Sequence, residues 1–79
     1  MKKNLTEIFG WYGVGAIVLA YALVSFSILP VNSICYQLLN GTGAVGIIVD
    51  SMYKKDYQPG ILNILWALIA LIAIINILR

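Results

Sequence analysis

Two long stretches without a single charge, residues 8–49 and 57–78, dominate the hydrophobic pattern of this chain. The charged residues sit at their edges: Lys2, Lys3 and Glu7 at the start, Asp50, Lys54, Lys55 and Asp56 in one central patch, and Arg79 at the end. The first stretch is about twice as long as one membrane crossing requires, so it must bend once. Turn chemistry near its middle is confined to the "SILPVNS" segment. There Pro30 turns Leu29 away from helix, and Asn32 or Ser33 is placed to cap a second helix. The pattern predicts three helices, at about 8–29, 34–52 and 60–78, with the polar "YKKDYQPG" loop before the third and Pro59 at or near its start. Each would have roughly 18–22 residues, or about 27–33 Å at 1.5 Å per residue, enough to cross the hydrocarbon. The expected fold is all-α: a single integral membrane domain, 1–79, built as a three-transmembrane-helix bundle.

Composition supports that reading. Of the 79 residues 62% are apolar and 10% charged, too little polar surface for a soluble domain of this size. A net charge of +2 with paired rather than patterned lysines gives no footprint for nucleic acid, so the expected partner is the lipid bilayer. The chain has one cysteine, Cys35, which leaves no intrachain disulfide to form. A cleaved signal peptide is the rival account of the first helix, with Ala20-Tyr21-Ala22 as its cleavage site. It is disfavoured because the apolar run continues to Leu29 and Glu7 interrupts the basic region.

Charge also predicts direction. With three crossings, the N-terminus and the second loop share a side carrying Lys2, Lys3, Lys54 and Lys55, against Arg79 alone on the other. The positive-inside rule then places the N-terminus in the cytoplasm and the C-terminus outside a bacterial inner membrane. Phe9, Trp11, Tyr12, Tyr53 and Tyr57 would form an aromatic belt at the cytoplasmic interface.

The "QLLNGTGAVG" stretch, residues 37–46, contains the glycine spacing of a dinucleotide-binding turn and an Asn-Gly hairpin signal. A hairpin there would leave two pieces too short to cross, with unpaired backbone in lipid at several kcal/mol per group. A nucleotide turn needs a strand–helix setting and an acid about 20 residues on, where this chain has Trp66 in an apolar helix. Both give way to a continuous helix. On it, Ser33, Gln37, Asn40, Gly43, Ala44, Ile47 and Ser51 share one face, with Thr42 and Gly46 on another. Gly13, Ala16, Ala20 and Ser27 of the first helix, and Asn63, Ala67 and Ala70 of the third, offer matching small or polar surfaces. The second helix is therefore expected at the centre, with surface for both neighbours and for a second copy, so a homo-oligomer is expected.

Chemistry is sparse. No histidine is present, and one cysteine with three carboxylates supplies neither a usual zinc site nor a nucleophile triad. No enzyme activity, cofactor or metal is expected. The candidate polar residues are Gln37, Asn40, Asp50 and Asn63, acting either as interhelical glue or as the lining of a path for an unknown small-molecule substrate. Asp50 is expected either to pair with Lys54 one turn on or to form a polar site with Asn63. No acid or base falls near the bilayer midplane, which weighs against a proton-coupled pump.

The segments "GWYGVGAIVLAYAL" (10–23), "YQLLN" (36–40), "GAVG" (43–46) and "NILWALIAL" (63–71) resemble the CBU-like family of very small bacterial three-span membrane proteins. The resemblance covers nearly the whole chain and implies three helices and a membrane location, with no activity attached. Gly41-Thr42 and Asp50 depart from that family's pattern. A weaker likeness is to SemiSWEET and PQ-loop half-transporters, whose third span carries an asparagine comparable to Asn63. The Pro-Gln pair of that family is absent, since Val31 succeeds Pro30. A structural or accessory protein is the expected function, and a minimal transporter or channel protomer working as a dimer is the alternative.

Overall fold

The computed structural model describes residues 3–79. Met1 and Lys2 lie outside them, so Lys2, one of the four lysines that set the expected orientation, is not placed. Three helices come in order: α1 Lys3–Ser25, α2 Ile34–Tyr53 and α3 Tyr57–Leu78. The described residues contain no strand. Helix α2 lies in the middle and packs against both neighbours, while α1 and α3 do not meet.

The helix ends are set by local chemistry. Helix α1 stops at Ser25, four residues short of the predicted end at Leu29. There the Ile28 N–H donates to Leu23 O at 2.9 Å and the Ser27 N–H to Val24 O at 3.1 Å, with Ser27 left-handed at φ 62°. These two bonds define a Schellman cap, which ends the helix before Pro30 can. Ser27, expected as a packing residue inside the first span, instead sits exposed in this turn. Helix α2 opens as its cap predicts: Ser33 is extended, and its Oγ accepts a long 3.4 Å bond from the Tyr36 N–H. It closes on a second Schellman cap, with Lys55 at φ 59° and the Asp56 N–H bonded to Ser51 O at 2.9 Å. Only residues 54–56 separate α2 from α3, so these two helices run antiparallel. Pro59 falls in the first turn of α3, where its missing N–H has no intrahelical partner to lose.

The core inverts the order of a soluble protein. Its buried hydrophobic residues are Ala16, Ala20, Ala44 and Ala70, and Thr6 is the largest fully buried side chain. On α1 the buried positions are Thr6, Gly10, Gly13, Ala16 and Ala20, at steps of four, three, three and four. The large residues point outward instead, Trp11 at 74% and Ile69 at 66% exposure among them. Leu5–Ser25 and Tyr57–Leu78 are long and apolar enough to cross a membrane. Helix α2, which carries Gln37, Asn40 and Asp50, is not among the helices that reach that hydropathy.

The left-handed serine at the end of α1 yields a direct test. Ser27→Gly removes the Cβ cost of that conformation and should stabilise the fold by about 1 kcal/mol. Ser27→Val should destabilise it. Equilibrium unfolding of both variants in mixed micelles measures the difference.

Candidate functional site

Two seams, one on either side of α2, collect nearly all the residues singled out by the sequence. In the α1–α2 seam the backbones themselves meet. A Cβ at Gly13 would overlap the Gly43 carbonyl oxygen, and one at Gly46 would overlap the Phe9 carbonyl oxygen. A Cβ at Gly43 would stand 3.0 Å from Gly13 O and 3.1 Å from the Ala16 Cβ. Gly13, Ala16, Ala20, Gly43 and Gly46 therefore share one contact. Gly46, grouped by helical angle with Thr42, packs beside Gly43. Thr42 is exposed: its hydroxyl bonds Leu38 O at 2.6 Å and the Tyr12 hydroxyl at 2.7 Å. Tyr12 thus reaches from the aromatic belt across the seam to α2.

The α2–α3 seam is more polar. A Cβ at Gly41 would lie 3.3 Å from the buried Ala70, so Gly41 lets α3 approach. Ala44 is fully buried, while Ala67 is only half-buried. Asn40, 9% exposed, accepts a 2.8 Å bond at Oδ1 from the Trp66 indole N–H. Gln37 donates from Nε2 to Val31 O at 3.0 Å, tying the first loop to α2. Asn63 donates from Nδ2 to Pro59 O, 2.8 Å away on its own helix. Each of the three buried amides thus has a partner within the chain, which in two cases is a backbone carbonyl.

Asp50 occupies the α1–α2 seam. Its Oδ2 pairs with Lys54 Nζ at 3.1 Å, one turn on. The carboxylate lies over Gly10, where a Cβ would come within 2.6 Å of Oδ2. Its Oδ1 is enclosed with no hydrogen-bond partner. No hydrogen bond joins Asp50 to Asn63, whose amide is turned to Pro59 on α3. Beside Asp50, a cavity of about 230 Å³ is lined by Glu7, Trp11, Val14, Ile47 and Lys54 among others. No group of three or more metal-ligating side chains occurs among the described residues.

Several seam residues are not visible to sequence reasoning. Thr6 and Gly10 continue the four–three spacing of α1 backwards, and an expected helix start at Ile8 hides that continuation. Gly60 packs against Met52 and Ser51, where the sequence suggests only a helix start. Trp66 and Tyr12 give no signal as seam partners, since the register between helices is not written in the periodicity of either one.

A family model matches residues 6–79, nearly the whole described chain. The chain belongs to the CBU-like family. Membership brings no established activity, so the chemistry of this CBU-like chain has to be argued from its own residues. No curated protein and no solved structure matches it, and the half-transporter likeness gains no support.

Two glycines on one helix separate packing from propensity. Gly13→Ala forces α1 and α2 apart and should cost about 1–3 kcal/mol, the usual range for overpacking. Gly15, with nothing within 4 Å of its Cβ position, should accept alanine without loss and gain up to about 1 kcal/mol of helix propensity. Parallel unfolding curves of the two variants in detergent check this.

Proposed function

We propose that this chain is a three-span inner-membrane protein, N-terminus cytoplasmic and C-terminus outside, with a structural or accessory role played as a homo-oligomer. The observation that carries the structural role is the local pairing of Gln37, Asn40 and Asn63. A path for solutes needs polar groups free to replace hydration, whereas these are spent on a loop, a neighbouring helix and a helix's own backbone. No enzymatic function is proposed, because Glu7 and Asp50 flank a lysine rather than a nucleophile or a general base.

The membrane reading draws on the outward-facing large side chains. The core helix of a soluble protein is mostly buried, but the apolar windows of α1 and α3 are only 22% and 11% buried. Helix α2 would cross between them because its polar side chains are turned into the seams. Phe9, Trp11, Tyr12, Tyr53 and Tyr57 are all exposed at or near the end shared by the start of α1 and the α2–α3 loop, where an interfacial belt belongs.

Reporter fusions test the topology. A cytoplasmic reporter should be active after Lys55 and a periplasmic one after Arg79, and the reverse pattern would invert the proposed orientation. Purified protein in liposomes should run as an oligomer and pass no test solutes. Solute flux abolished by Asn40→Leu, in a variant as stable as the parent, would assign the chain to the transporter class instead.

A further inference from the structure

The charged cavity at the α1–α2 seam has a polarity that structural packing alone does not explain. Glu7 and Asp50 supply two carboxylates to its lining and Lys54 one ammonium, a formal balance of −1. Lys54 reaches Asp50 through Oδ2 only, with its own side chain 43% exposed, and Oδ1 has no donor. The Asp50 carboxylate is therefore under-compensated at a site where apolar surroundings strengthen its field. Below the charges, Val14 and Ile47 continue the cavity as an apolar slot, and Trp11 stands beside it, 74% exposed. Acidic and basic groups at one end with an apolar slot leading away match an amphiphile whose head carries both signs.

We propose that this cavity binds a zwitterionic phospholipid with a primary-amine headgroup. The ammonium lies between Glu7 and the accessible side of Asp50, the phosphate meets Lys54, and an acyl chain runs along Val14 and Ile47. A primary ammonium offers N–H donors to both carboxylates, and a quaternary one offers none, so the site discriminates by hydrogen bonding rather than charge. The proposal rests on the membrane reading and places this lipid in the leaflet facing the N-terminus.

Native mass spectrometry of the full chain, released from micelles containing equal amounts of phosphatidylethanolamine and phosphatidylcholine, tests it. The parent protein should carry the ethanolamine lipid in roughly tenfold preference, the scale of one charge-assisted hydrogen bond. Glu7→Gln, at a half-buried position that should tolerate it, should bring the ratio close to parity. Lys54→Gln should weaken both lipids together. Gly15→Ala, remote from the cavity, should leave the preference intact. A parent protein without preference, or a Glu7→Gln variant that keeps it, would overturn the proposal. Displacement by soluble phosphorylethanolamine at the lipid's own affinity would also overturn it, by assigning the site to a soluble amine. The reporter fusions decide the membrane reading independently, so a chain that inserts as proposed but does not select this lipid defeats this inference alone.

Discussion

The close approach of two backbones, at Gly13 against Gly43 and at Gly46 against Phe9, is the constraint on which the rest of the structure depends. Helices that lie in lipid gain nothing from hiding large apolar side chains, because the tails around them are equally apolar. What they gain is dispersion contact and hydrogen bonding at short range, which requires the side chains between them to be small. The buried stripe of α1 obeys this without exception: threonine, two glycines and two alanines. Any larger residue in that stripe would hold the helices apart and leave Tyr12 unable to reach Thr42.

Helix α2 carries the cost of this arrangement. It holds the amides and the carboxylate, and it has too little hydropathy to rank with α1 and α3 as a span by composition. Its polar atoms are satisfied by what surrounds them: Val31 in the loop, Trp66 on α3, Tyr12 on α1 and Lys54 one turn on. The outer helices shield it, although they do not close around it, since α1 and α3 never meet. Asp50 Oδ1 is the exception to this accounting, and it lies in the seam beside the charged cavity.

Much of this is legible in the sequence, for physical reasons that differ by residue. The charge-free runs give three helices, and small residues at helical spacing give Gly13, Ala16, Ala20, Gly43, Ala44 and Ala70 as contacts. The end of α1 is not legible. Phe26, Ile28 and Leu29 look like more helix, and the cap that stops it uses a serine where glycine is the usual sign. Thr42 and Gly46 group together by angle, but which neighbour each one meets depends on where α1 lies, and periodicity within α2 carries no information on that. Asp50 shows the same limit: its pairing with Lys54 comes from the four-residue spacing, while its seat on Gly10 rather than beside Asn63 needs the tertiary structure.

The central claim is that the buried amides of α2 hold helices together. A double-mutant cycle on Asn40→Leu and Trp66→Phe, measured by unfolding in detergent, tests it most directly. Each single change removes one side of the 2.8 Å bond between α2 and α3. The account predicts that the two losses are not additive, with a coupling of about 0.6–2 kcal/mol, the range found for hydrogen bonds between membrane helices. Strictly additive effects would contradict it, because Asn40 would then contribute nothing to helix association through Trp66.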